Sequence, residues 1–438
     1  MEVVTLLGRG LIGIVALLGL AVLLSSNRRK IDWKVVGIGI GLQIVFALLI
    51  LKTSAGYAVF EWIGAGFASL LAFTDVGSDF IFGSFREGTI EPPLLNFAFK
   101  VLPTIIFFAA LMAVLYHLRI IQPLVKGMGW FMAKTMKLSG AESLSAAANV
   151  FIGQTEAPLV VRPFIDKMTK SELMTLMTGG MATIAGGVLA AYIGMLGGES
   201  LAEQAKFAAH LLAASMMSAP AAIVMAKILI PETKAPETMG QFELAEVETG
   251  GNVLEAAAAG AGDGLKLAAN VGAMLLAFLA LIAMLNAMLG WVGNPTLFGA
   301  ELWNLNDAVA SATGGRFEGL TLQSIFGFVF APLAWAMGVE TADILSFGSL
   351  MGEKIAVTEF VAYLSLGSMQ GVMSERSIIM GTYALCGFAN FGSIAIQIGG
   401  IGGLAPKRRT EIASLAVRAV IGGALASWMT ATIAGMLI

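Results

Sequence analysis

Long apolar runs alternate along the chain with short polar connections. A helix that crosses a bilayer needs about 20 mostly apolar residues, because its backbone polar groups must find partners within the segment. Eight stretches fit: about 8–26, 33–52, 96–117, 172–196, 205–229, 265–290, 377–400 and 410–437. The first lacks a small-residue cleavage site and runs into Asn27-Arg28-Arg29-Lys30, so it reads as a retained span. Residues 55–73 and 121–137 mix aromatic, apolar and charged positions at helical spacing, which predicts helices lying in the interface. Residues 231–262 are acidic and rich in Ala and Gly, and they predict the longest aqueous connection. Residues 140–168 and 341–370 are half-apolar and broken in the middle by polar positions. Their length suits a helical hairpin that enters partway and returns.

Basic residues cluster in three short loops: Arg28, Arg29, Lys30 and Lys34; Arg119, Lys126, Lys134 and Lys137; and Lys407, Arg408 and Arg409. With these inside, an eight-span chain has both termini outside, and the loop at 197–204 carries no Lys or Arg. For a bacterial inner membrane, that places both termini in the periplasm.

Composition supports this pattern. Of 438 residues 57% are apolar and 13% charged, 26 basic against 29 acidic, for a net charge of −3. Soluble chains carry about 25% charged residues. The lone Cys386 excludes an internal disulfide, and the absence of a basic excess argues against nucleic acid as a partner. No metal-ligand cluster, phosphate-binding loop or nucleophile elbow is present, so an ATP-driven pump or a membrane enzyme has no support.

The two broken segments share a pattern. Thr155-Glu156 and Ser171-Glu172 recur as Thr358-Glu359 and Ser374-Glu375, each 203 residues later. An apolar span interrupted by small and polar residues follows each Ser-Glu pair, at 182–188 and at 387–394. The span count has the two copies entering from opposite faces. Inverted repeats with discontinuous helices are the architecture of secondary transporters, with substrate held near the midplane. The fold class expected is therefore an all-α polytopic membrane protein. It has eight transmembrane helices, two re-entrant hairpins, interfacial helices and an inverted internal repeat.

Glu156 and Glu359 stand out, since a carboxylate at bilayer depth costs roughly 2.5–3.5 kcal/mol or more. Each has a structural alternative as half of an ion pair, with Arg162 or Lys354 as partner. Their match across the repeat favours one shared site. Asn149, Gln154 and Thr155 have an alternative as caps of the short hairpin helices, since Asn and Thr cap well, and that is compatible with facing a cavity at the hairpin tip. Asn390 and Ser393 read equally as helix–helix hydrogen bonds, Phe388 as a lipid-facing or core ring, and Cys386, His117 and His210 as packing residues.

The run from Asn149 to Pro158, with Gln154-Thr155-Glu156 at its centre, resembles the first-hairpin signature of the concentrative nucleoside transporters. Glu359-Phe360-Val361-Ala362-Tyr363, preceded by Gly352 and Lys354, is similar to their second-hairpin motif, and Gly387–Ile394 to their interrupted seventh span. The resemblance extends from about residue 30 to the C-terminus. It implies a homotrimer of protomers with scaffold and mobile transport domains, importing nucleosides by an elevator movement driven by a cation. Scaffold helices then occupy residues 1–120, a first transport repeat 121–230, a connection and scaffold span 231–300, and a second transport repeat 301–438. The resemblance also implies a nucleobase site at Gln154, Thr155 and Glu156 near Val188. Glu359, Asn390 and Ser393 hold the ribose, with Phe388 beside it. Sodium falls to Asn149, Ile152, Thr183 and Ile184, partly through backbone carbonyls.

Two positions depart from the family pattern, Thr358 where Asn is frequent and Gly187 where Ser is common. The expected coupling ion is sodium, with no cofactor. A proton-coupled symporter of the same fold is the alternative, with Glu156 or Glu359 carrying the proton. A channel or membrane receptor is a third reading.

Overall fold

The computed structural model describes residues 2–86, 102–198, 200–240, 251–297 and 300–438. The start of the expected span at 96–117 and part of the acidic connection, 241–250, lie outside the described residues. The chain folds as helices joined by short links. The first three are α1 (Glu2–Leu23), α2 (Trp33–Lys52) and α3 (Ser54–Arg86), followed by α4 (Leu102–His117) and α5 (Ile121–Met136). Next come α6 (Gly140–Asn149), α7 (Ala157–Val160), α8 (Lys170–Ala182), α9 (Gly186–Gly197) and α10 (Leu201–Leu229). After the acidic connection run α11 (Val253–Gly293), α12 (Leu305–Ala312), α13 (Leu322–Ala336), α14 (Ile344–Ala356) and α15 (Glu359–Ser368). The chain closes with α16 (Glu375–Leu385), α17 (Phe391–Leu404) and α18 (Arg409–Leu437). A two-residue ladder pairs Thr296–Leu297 with Ala300–Glu301.

Among the described residues five helical segments are long and apolar enough to cross a membrane: 33–52, 170–197, 201–229, 253–293 and 406–437. A sixth arises if α4 and α5, bent by 77° at the break between them, count as one. The bend falls where the sequence changes from an apolar run to the amphipathic segment expected in the interface. Leu7–Leu23 and Phe391–Leu404 are apolar but shorter.

Two expectations are corrected. The helix expected over 55–73 runs on to Arg86. The Ala- and Gly-rich stretch expected to be an aqueous connection up to 262 is helical from Val253 onward, capped by Asn252, whose side chain accepts from the Glu255 amide. The glycines there serve close packing. A Cβ on Gly260 would lie 2.6 Å from Ala113 Cβ, and one on Gly264 would lie 2.8 Å from Ile106 Cα, so α11 lies directly on α4.

The order of one helix, a pair of shorter helices, a broken helix and a long helix occurs twice, as α5, α6–α7, α8–α9, α10 and as α13, α14–α15, α16–α17, α18. Residue by residue the copies differ. Glu172 closes a capping box with Thr169 at the start of α8, whereas Glu375 is the first residue of α16 behind the Ser374 cap. The pairs 203 residues apart therefore hold different helical positions, and the repeat is one of elements.

Buried helix α10 packs against α2, α3, α8, α9 and α18. α18 meets the end of α8 through Gly423, where a Cβ would stand 2.5 Å from Met181 Cβ. This packing fixes the two broken spans against each other.

Candidate substrate and cation site

The site forms where two helix breaks cross. α8 ends at Ala182, and Thr183 to Ala185 lead into α9, with Thr183 extended at φ −122° and ψ 168°. α16 ends at Leu385, and Cys386 to Asn390 lead into α17. Gly387 has φ +147°, and a Cβ there would lie 2.7 Å from the Met181 carbonyl oxygen and 2.8 Å from the Ala182 carbonyl carbon. A side chain is thus excluded by both conformation and space. Gln154-Thr155-Glu156, between α6 and α7, and Thr358-Glu359, at the start of α15, line one cleft with Ala185, Phe388 and Asn390 of this crossing.

This cleft is also lined by Val188 and Ser393, so that Gln154, Thr155, Glu156, Val188, Glu359, Phe388, Asn390 and Ser393 all face it. These are the substrate-binding residues expected from the sequence. Leu267, Val271, Met274 and Leu275 of α11 complete an apolar wall. A second cleft shares Gly153, Glu156, Ala185 and Leu267 with the first and extends between α4 and α11 past Tyr116, Glu255 and Asp263.

Glu359 is 4% exposed. Its Oε2 accepts from Asn390 Nδ2 at 2.6 Å and its Oε1 from the Tyr192 hydroxyl at 3.1 Å. Asn390 caps α17 at the same time, its Oδ1 accepting from the Ser393 amide at 2.8 Å. Capping and site formation are thus one arrangement. Thr358 caps α15, its hydroxyl accepting from the Val361 amide at 3.3 Å. Gln154 Nε2 donates to Ser393 Oγ at 3.2 Å, tying the first hairpin to the second break. Thr155 and Glu156 are exposed to the cleft.

The expected ion-pair alternatives are not formed. Lys354, fully buried, donates to the Ala384 carbonyl at 2.8 Å and to Ser427 Oγ at 2.6 Å. No ion pair to Glu359 or Glu156 occurs among the described residues within 4.0 Å. An apolar cleft with carboxylates and amides at one level suits a ligand carrying hydroxyl donors at one end and a flat ring with a polar edge at the other.

Family comparisons agree with that chemistry. Residues 12–85 match the family model described as Na+ dependent nucleoside transporter N-terminus, residues 210–435 the corresponding C-terminus, and residues 98–199 a gate domain described as nucleoside recognition. The transporter CNTnw, solved in an inward-facing substrate-bound state, is 40% identical with a TM-score of 0.82 over 98% of both chains. The chain belongs to the concentrative nucleoside transporter family. The uncharacterized transporter YutK of Bacillus subtilis is 44% identical over 430 residues, 98% of this chain and 99% of that protein. Sodium/nucleoside cotransporter 1 of Rattus norvegicus is 39% identical over 431 residues, which cover 94% of this chain and 61% of the rat protein. This nucleoside transporter family member is a multi-pass membrane protein and not an enzyme.

Of the four residues expected around sodium, Asn149 and Thr183 are brought to one residue of α8, Gly179. Asn149, 1% exposed, ends α6, and its Nδ2 donates to the Ser145 carbonyl at 2.9 Å. Its Oδ1 is buried with no partner. A Cβ on Gly179 would lie 3.1 Å from the Asn149 amide nitrogen, and Thr183 Oγ1 donates to the Gly179 carbonyl at 3.0 Å, so Asn149 and Thr183 flank one residue of α8. Ile152 follows α6, and Thr183 and Ile184 lie in the break beyond α8, so their carbonyls stand outside regular helix. The orphaned Asn149 amide oxygen is the kind of neutral oxygen donor that a hard cation takes.

Two residues escaped the sequence reading. Tyr192 reaches Glu359 from α9, and Gln397 of α17 donates to Gln154 Oε1 at 3.3 Å and to the Met177 carbonyl at 2.9 Å. Each lies four residues after an expected site residue, Val188 and Ser393 respectively. The helical spacing that puts i and i+4 on one face was the available signal.

Proposed function

We propose that this protein imports nucleosides across a bacterial inner membrane by sodium symport. The observation that carries this reading is the cleft at the crossing of the two helix breaks, which Gln154, Thr155 and Glu156 line together with Glu359, Asn390 and Ser393. Glu359 accepts ribose hydroxyls, oriented by Tyr192 and Asn390, and Ser393 adds a further polar contact. Gln154, Thr155 and Glu156 meet the base edge, while Val188 and Phe388 cover the rings. Sodium, a co-substrate, binds at Asn149, Ile152, Thr183 and Ile184. Because Thr183 borders both the cation set and the break leading to Val188, cation binding orders the site that receives the nucleoside.

Movement follows the elevator pattern, with both hairpins and both broken spans travelling as one body against α11 and the other scaffold helices. The cleft between α4 and α11 is the path to the interior. The working assembly is a homotrimer of eight-span protomers with both termini periplasmic. Radiolabelled uridine uptake tests the site, since Glu359→Gln abolishes transport while the assembly stays intact. Normal uptake by that variant removes Glu359 from the site.

A further inference from the structure

Gln397 is buried at 1% exposure and does not line the cleft. Its Nε2 lies 2.9 Å from the Met177 carbonyl oxygen of α8, a backbone group that can only accept. The atom facing it must therefore be the amide nitrogen. The same nitrogen has a second hydrogen, directed at Gln154 at 3.3 Å, so Gln154 turns its carbonyl oxygen toward Gln397. The nitrogen end of Gln154 is then left facing Ser393 Oγ, 3.2 Å away, at the wall of the cleft. Gly180 makes room for this arrangement, since a Cβ there would stand 2.8 Å from both Gln154 Cβ and Gln397 Nε2.

We propose that Gln397 is a positioning residue that fixes which end of the Gln154 amide meets the nucleobase. The direction runs from an immovable helix carbonyl through Gln397 to Gln154 and into the cleft. A primary amide left to itself turns over readily, presenting donor or acceptor according to the ligand. Held by Gln397, it presents its N–H face, and the protein favours bases that offer an acceptor there. The inference rests on the reading that Gln154 contacts the base.

Uridine and cytidine exchange donor for acceptor on one base edge, so they serve as probes. In proteoliposomes the wild-type protein separates the two by apparent KM. Gln397→Met, close in length but without a donor, narrows that separation about fivefold or more, the scale of one hydrogen bond. Half-saturating sodium and the preference for ribose over 3′-deoxyribose stay unchanged. Gly180→Ala, which crowds the bond between the two glutamines and keeps both, produces the same narrowing. A wild-type protein that takes both pyrimidines equally overturns the inference, as does a Gln397→Met variant that shifts every nucleoside and sodium together. Gln154→Ala separates the two levels. If it leaves the base profile intact, the base-contact reading itself fails. If it alters the profile and Gln397→Met does not, only the positioning role fails.

Discussion

Both carboxylate oxygens of Glu359 carry protein donors, Tyr192 on one and Asn390 on the other. A hydrogen bond to a charged group contributes about 1.5–3 kcal/mol. Tyr192→Phe keeps the ring stacked on Tyr363, 4.1 Å between centroids, and removes that one donor. Uridine KM then rises about ten- to a hundredfold with modest change in protein yield. Initial-rate uptake measures it, and an unchanged KM contradicts the account. Thr183→Ala raises the sodium concentration needed for half-maximal uptake, read from a sodium titration at fixed uridine. Gln154, Thr155, Glu156, Glu359, Asn390 and Ser393, which line the cleft, were legible because polar residues in apolar surroundings are conspicuous. Tyr192 and Gln397 were not, because each sits inside an apolar helix and becomes polar in function only through what lies across from it.

At the scale of elements, the crossing of the two breaks depends on Gly387. Gly387→Ala combines a positive φ with contact to the backbone of α8, which costs on the order of 1–3 kcal/mol if the helices cannot shift. A lower melting temperature together with lost uptake is expected. Full activity with unchanged melting would mean that the crossing is more tolerant than the packing suggests. Both interruptions could be read from the sequence, since polar and small residues break apolar runs there. The start of α11 could not. Alanine and glycine read as a connection, whereas here they let α11 approach α4 closely, and that reason exists only in the partner helix. The register of the repeat misled in a related way, because the spacing of 203 residues matches dipeptides whose capping roles differ.

The molecule as a whole is one buried cluster centred on α10, with α11 standing largely outside it. Leu276 and Trp291 of α11 are 76% and 66% exposed, surface that lipid or neighbouring protomers cover. Native mass spectrometry in detergent is expected to give a trimer, and a monomer would contradict the proposed assembly. The scarcity of charge identified a membrane protein, and the two glutamates within apolar segments pointed to the cleft that both of them line. The proposed cation site draws on Asn149 and Thr183, which lie apart in sequence and meet only through Gly179. The most direct test loads purified protein into liposomes and follows labelled uridine under an inward sodium gradient, with a proton gradient in sodium-free buffer as the comparison. The account predicts accumulation above the external concentration with sodium alone. Equal accumulation under the proton gradient without sodium, or mere equilibration under either, would contradict it.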